Sequence, residues 1–350
     1  MRRAWLVLVL VVPLSARAHD VSVDVSGSLI TTSQNNPRAG GFGLMASGGW
    51  DVGDTVSLFT NLGYTRDLPT RAGMTGTSGS NVFLAGLGVM WLPTDNLMAM
   101  LTVTGSPPSL VKSATTVSFR DPFTREPRTV DVVVDSRTWT LGALWTGSWM
   151  QTPGNRPWSS MVDVLAGATW YDVTQRLELP PGPAPQTLGA QCAADPSAYR
   201  VCPLVNGATT PLLQVRLGGG YTGTLLDKTD FGLEVLGYLY DRDPSDVGYF
   251  SVMVVGRGLE LGNGVPVLPL AISVRPSVLH RFSRVSLKLS YQYGLYASGQ
   301  GANHVGALRM TVRLGSSWRL QATVTGQVDR TSAGWGNPGG TAVLGTTVVF

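Results

Sequence analysis

Residues 137–151, RTWTLGALWTGSWMQ, constrain this chain more than any other stretch. Trp139, Leu141, Ala143, Trp145, Gly147 and Trp149 fall on one face of a strand, and Thr138, Thr140, Gly142, Thr146 and Ser148 fall on the other. Three tryptophans exposed on one strand face would drive aggregation in water. Trp139 and Trp149 are ten positions apart. At ~3.3 Å per residue and a tilt near 40° that spans roughly 25 Å, the height of the apolar band of a bilayer with an aromatic residue at each boundary. A strand can cross lipid only if its backbone groups are all paired, which requires a closed barrel.

The same alternation recurs along the chain. Val56, Leu58, Leu62 and Tyr64 share a face, as do Phe83, Ala85, Leu87, Val89 and Trp91. Val162, Val164, Ala166, Ala168 and Trp170 oppose Asp163; Leu213, Val215, Leu217 and Tyr221 oppose Gln214 and Arg216. Short turn signals at 51–54, 93–96, 150–158, 226–229, 281–284 and 315–317 alternate with longer connections, including 107–136 and 174–210, both read as loops. Short turns belong on the periplasmic side and long loops outside. Region 243–267 is ambiguous: counted as a strand it would make fifteen, whereas both termini at the periplasm require an even number. The expectation is an all-β, transmembrane, antiparallel up-and-down barrel of about fourteen strands, with twelve to sixteen as the range and no plug domain. Trp91, Trp139, Trp149, Trp170, Tyr221 and Phe350 are its expected aromatic girdle.

Both ends agree with this reading. The first residues, MRRAWLVLVLVVPLSARAHD, carry Arg2 and Arg3, an apolar run Trp5–Leu14, and Ala16-Arg17-Ala18 as a cleavage site. We read 1–18 as a secretory signal peptide and 19–350 as one barrel domain. Removing 1–18 takes three arginines and no acid, leaving 23 basic against 22 acidic residues. The basic balance therefore gives no support for nucleic-acid binding. After the leader no apolar run of ~20 residues appears, which excludes membrane helices. The last ten residues, TAVLGTTVVF, place Ala342, Leu344, Thr346, Val348 and Phe350 on one face. This ending resembles the C-terminal assembly signal of bacterial outer-membrane β-barrels. The resemblance is generic, covers the whole chain after the leader, and implies the outer membrane as location, with its lipid and the barrel assembly machinery as partners.

Function must come from the inner face. Arg216, Arg275, Lys288, Arg309, Arg313 and Arg319 are expected to line the pore, with Asp24, Asp163 and Glu234 as the inward acids. A stripe of Arg and Lys biases a water-filled pore toward anions; the same residues could instead pair with acids and stiffen the wall. Cys192 and Cys202 are expected to form a disulfide in the Pro-rich outer loop, which could protect that loop, constrict the lumen or bind a partner. Of the three histidines, His19 is near the processed terminus, His280 at an inner turn and His304 at an outer strand end beside Asn303, so no metal site or catalytic set is expected. The glycine-rich runs lie inside strands, so no phosphate loop and no cofactor are indicated.

The expected function is a passive, porin-like channel for small solutes with a mild anion bias, and not an enzyme. A non-conducting barrel using its outer loops for structure or binding is the second reading, and an outer-membrane hydrolase the third. Because Phe350 is read as part of the assembly signal, deleting it or replacing it by Asp is expected to leave the chain unassembled. Urea extraction of membranes checks this: the variant should be extracted and the native protein should not.

Overall fold

The computed structural model describes residues 20–32, 39–68, 81–106, 112–151, 157–199, 202–242 and 270–349, apart from 298, 300, 333 and 337. The leader, region 243–267, His19 and Phe350 lie outside them. The strands are β1 (Asp20–Thr32), β2 (Ala39–Asp51), β3 (Val56–Leu68), β4 (Asn81–Thr94), β5 (Leu97–Gly105), β6 (Lys112–Arg120), β7 (Pro127–Gln151) and β8 (Trp158–Glu178). Two helices follow, α1 (Pro183–Ala194) and α2 (Cys202–Val205). Then come β9 (Ala208–Leu225), β10 (Thr229–Tyr240), β11 (Leu270–Arg281), β12 (Val285–Tyr296), β13 (Gly301–Arg313), β14 (Trp318–Thr331), β15 (Gly334–Trp335) and β16 (Gly339–Val349).

Fourteen of these strands pair antiparallel in sequence order, with β6 and β15 set aside. β1 pairs in turn with β16, from Ser22 opposite Val349 to Thr32 opposite Gly339. Because β16 pairs β14 and β14 pairs β13, the ladder returns to its start. Every barrel strand therefore has a partner on both sides, as hydrocarbon requires of a β-structure. No helix among the described residues is long and apolar enough to cross a membrane. The six connections on the rim shared with the termini are two to six residues long.

Directly opposed residues in a ladder share a face, so one assignment propagates around the whole wall. Leu101 faces Ala143, Ala143 faces Ala168, and Ala168 faces Val215 on the outside. Trp91, Trp139, Trp149, Trp170 and Tyr221 stay 38–52 % exposed on this surface. Apolar residues at that exposure would be a fault in water and are a match to lipid. Two girdle rings lie flat against glycines: a Cβ on Gly105 would fall 2.1 Å from the Trp139 ring, and one on Gly223 would fall 2.0 Å from Trp158. Trp158 also stacks on Phe231 at 6.3 Å.

Two stretches correct the sequence reading. Residues 107–136 are not a plain loop, because β6 and the first third of β7 form a hairpin there, from Lys112 opposite Asp135 to Arg120 opposite Pro127. Likewise 174–210 is not one long loop: β8 runs on to Glu178, β9 starts at Ala208, and both helices lie between. These segments rise past the outer rim and bury their apolar residues against each other, so they lack the long alternation that marks a lipid-facing strand.

The face assignment makes a direct prediction for β7. Ala143→Arg points into the mid-bilayer and should cost about 2–4 kcal/mol of folding stability, whereas Thr146→Arg, on the inner face, should cost far less. Reversible urea unfolding in lipid vesicles, followed by tryptophan fluorescence, measures both.

Candidate functional site: the bore and its outer mouth

The inner face is the polar register of the same ladders. On it Lys288 sits opposite Arg309, and Arg313 opposite Arg319, so four cations cluster on β12, β13 and β14. All four are exposed, and none makes an ion pair among the described residues. Arg313 and Arg319 flank the β13–β14 turn, and they share a hollow with Arg281 and Arg284 at the rim of the termini. The basic cluster therefore lies toward the end of the bore that carries the termini and the short turns.

Several other inner charges are paired. Arg275 is opposite Glu234 in the β10–β11 ladder; its Nη1 lies 3.4 Å from Glu234 Oε1, and its Nε donates to Gln292 Oε1 at 2.6 Å. Asp163 accepts the Ser148 hydroxyl at 2.6 Å. Arg281 pairs with Asp230, an inward acid that the sequence reading overlooked because it sits one residue inside a strand end. Asp329 is a second overlooked acid, accepting from Tyr296 at 2.6 Å and from Asn303 at 2.7 Å. Asp24 lies in β1 opposite Thr347 and Met45.

Arg216 differs from all of these. It lies on the inner face of β9, between Gly167 of β8 and Tyr238 of β10. Its Nε is buried and has no hydrogen-bond partner. Toward the outer end of the bore the Tyr171 hydroxyl donates to Gln214 Oε1 at 3.2 Å. Gln214 Nε2 donates to the Tyr240 hydroxyl at 3.0 Å, and that hydroxyl donates to the Leu270 carbonyl at 3.0 Å.

The histidines do not converge. His280 bonds Thr229 Oγ1 through Nδ1 at 2.8 Å and packs edge-on to Phe282. His304 faces outward, its Nδ1 2.6 Å from the Tyr291 hydroxyl, with Tyr293 and Trp335 around its ring. Asn303, its sequence neighbour, bonds inward to Asp329. The barrel wall thus separates the His304–Asn303 pair, and among the described residues no group of His, Cys, Asp or Glu could hold a metal.

Above the outer rim, β6 and the tall ends of β7 and β8 carry a small core of their own. Phe119, Val130, Val132 and Leu177 pack with Leu188 and Leu204 around the buried Cys192–Cys202 disulfide, which ties α1 to α2. Val130 and Val132 have the strand parity of the inward Thr138 and Thr140, so the helices sit on the side continuous with the bore. The hairpin tip is fixed by Asp121, which is buried, accepts the N–H groups of Phe123 at 2.9 Å and Thr124 at 3.2 Å, and pairs with Arg128 at 2.9 Å. The Arg120 carbonyl accepts from Gln191 of α1 and from Tyr199, both at 3.2 Å, which docks the helical segment on the hairpin.

These features define a membrane-spanning, porin-like β-barrel of the bacterial outer-membrane type. No protein-family model and no curated relative matches the chain. Among solved structures it is similar to a Pseudomonas aeruginosa FadL homologue, at 9 % identity over 95 % of this chain and 89 % of that one, with a TM-score of 0.47. It is similar to the CymD monoaromatic hydrocarbon channel at 8 % identity over 94 % and 88 %, TM-score 0.48. A third is OccK8 (OprE) of Pseudomonas aeruginosa, at 8 % identity over 95 % and 98 %, TM-score 0.41. All three are outer-membrane β-barrels.

Asp121 gives the mouth a testable pH dependence. The Phe123 N–H, then the Thr124 N–H and the Arg128 guanidinium, hold its carboxyl below the usual range against the opposing effect of burial. Its contribution to the hairpin is therefore full above the ordinary carboxylate pKa of about 4 and is lost as pH falls through the lowered value. Asp121→Asn should remove that contribution at neutral pH. Trypsin cleavage after Arg120 or Arg125 should then be several-fold faster than in the native protein.

Proposed function

We propose that the protein is a passive outer-membrane channel for small solutes with a preference for anions. One observation carries this reading: Lys288, Arg309, Arg313 and Arg319 share one exposed inner wall with no acid paired to any of them among the described residues. Four like charges placed together cost electrostatic energy, and residues kept only to stiffen a barrel would be paired, as Arg275 and Glu234 are. In a water-filled bore, such a patch raises the local anion concentration and disfavours cations. Leader, girdle and terminal strand support placement in the outer membrane, and the terminal strand supports delivery there by the barrel assembly machinery.

A second reading has its own support. The disulfide-tied helices lie on the bore side of the rim, which suits a barrel whose mouth is covered and whose outer segment binds a partner. Planar-bilayer recording separates the two. The proposal expects steady conductance and a reversal potential of anion-selective sign across a potassium chloride gradient. Arg309→Glu with Arg313→Glu should move that potential toward cation selectivity. No conductance, or cation selectivity in the native protein, would overturn it.

A further inference from the structure

We infer that the hollow at the rim of the termini is a phosphate-binding site, formed by Arg284, Arg313 and Arg319 with Arg281 as its fixed wall. Its ligand is a phosphate dianion, free or as the phosphate group of a small phosphorylated solute. The inference deepens the channel reading by naming the anion, and rests on it for how that anion reaches the hollow.

Two turns build the hollow. Arg281 and Arg284 bracket the β11–β12 turn, and Arg313 and Arg319 bracket the β13–β14 turn. In the ladders Arg281 lies opposite Ser286, Ser286 opposite Thr311, and Arg313 opposite Arg319, so these residues share the inner face. The first turn is closed by the Phe282 N–H, which donates to the Val285 carbonyl at 2.7 Å. It is tied to β13 by the Arg313 N–H, which donates to the Arg284 carbonyl at 2.8 Å. The hollow, of about 260 Å³, is therefore mounted on strand ends whose backbone is already paired. That arrangement keeps low the ordering cost of gathering several cations on one ligand.

The charges of the hollow do not cancel. Arg281 pairs with Asp230 of the neighbouring β10, and that pair is neutral. Arg284, Arg313 and Arg319 are exposed and make no ion pair among the described residues. Among the described residues no acid lines the hollow itself. Three like charges around one space repel one another, and a bound anion relieves that repulsion. A chloride or a monocarboxylate cancels one of the three. A carboxylate offers two oxygens, enough for one guanidinium fork, whereas a phosphate gathers several strong acceptors and nearly two charges on one centre. Forks from separate arginines can then close on the same ion. The Ser286 and Thr311 hydroxyls, opposed in the lining, supply further donors.

The test uses the whole protein in lipid nanodiscs at constant ionic strength and about pH 8, where phosphate is mostly the dianion. Inorganic phosphate is the probe, glycerol phosphate the ester, and acetate and succinate the carboxylates of one and two charges. Calorimetry should show inorganic phosphate binding roughly tenfold tighter than either carboxylate. Arg284→Gln should weaken phosphate by about the same factor, and Arg284→Lys should restore only part of it, since a point charge cannot form the bidentate pair. Arg242→Gln loses the same charge beyond the other end of β10 and should leave phosphate binding unchanged. Heat-modifiable gel mobility confirms that each variant is folded. Binding of the ester as tight as that of inorganic phosphate identifies a phosphorylated solute as the ligand, and binding of inorganic phosphate alone identifies the free ion; either supports the site. Phosphate bound no tighter than succinate, or phosphate binding unaltered in Arg284→Gln, overturns the inference. Because calorimetry does not need conduction, Arg284-dependent phosphate binding in a protein that passes no current would sink the channel reading and leave the site standing. Anion-selective current with no Arg284-dependent binding would do the reverse.

Discussion

Everything in this structure depends on the pairing of β1 with β16. In hydrocarbon an unpaired backbone N–H or C=O costs several kcal/mol, and an open sheet would leave two rows of them. The eleven opposed residue pairs from Ser22–Val349 to Thr32–Gly339 remove both rows at once. Once the ring is closed, the parity of each strand is no longer free, because a slip of one residue would turn its lipid face into the water. The outer apolar belt and the inner polar surface are two consequences of that single closure.

The inner surface is not uniform, and the differences carry the functional argument. Where Arg275 meets Glu234, or Arg281 meets Asp230, charge cancels and the wall is electrostatically quiet. Toward the rim of the termini four cations stand together without an ion pair among the described residues. Midway, Arg216 lies opposite Tyr238 with its Nε buried against the wall over Gly167. At the opposite mouth a disulfide-tied helical segment leans over the bore side of the tall strands.

Much of the fold was legible because lipid imposes a simple rule on sequence. The alternation in 137–151 and in 158–171 needs only the period of a strand, and the fourteen-strand ring follows from counting such segments and demanding parity. The hairpin at 112–135 escaped for a physical reason. Its valines pack against helices above the membrane, so nothing forces the long apolar alternation that a lipid face requires. The helical segment around Cys192 escaped likewise, hidden in a stretch that its prolines marked as loop.

The inner surface was legible by face but not by partner. That Arg275, Arg309 and Asp163 turn away from lipid follows from their neighbours along each strand. Which cation meets which acid depends on the stagger between strands distant in sequence, and only the ladders fix that Glu234 lies opposite Arg275. One separation was readable in advance: His304 and Asn303 are consecutive in a strand and therefore sit on opposite sides of the wall. The most direct test of the account is the alternation on β13 itself. Single-cysteine variants at Ala307, Leu308, Arg309 and Met310 in lipid vesicles would be exposed to a membrane-impermeant thiol reagent. The account predicts rapid labelling at 307 and 309 and protection at 308 and 310; labelling in the reverse pattern, or at all four alike, would contradict it.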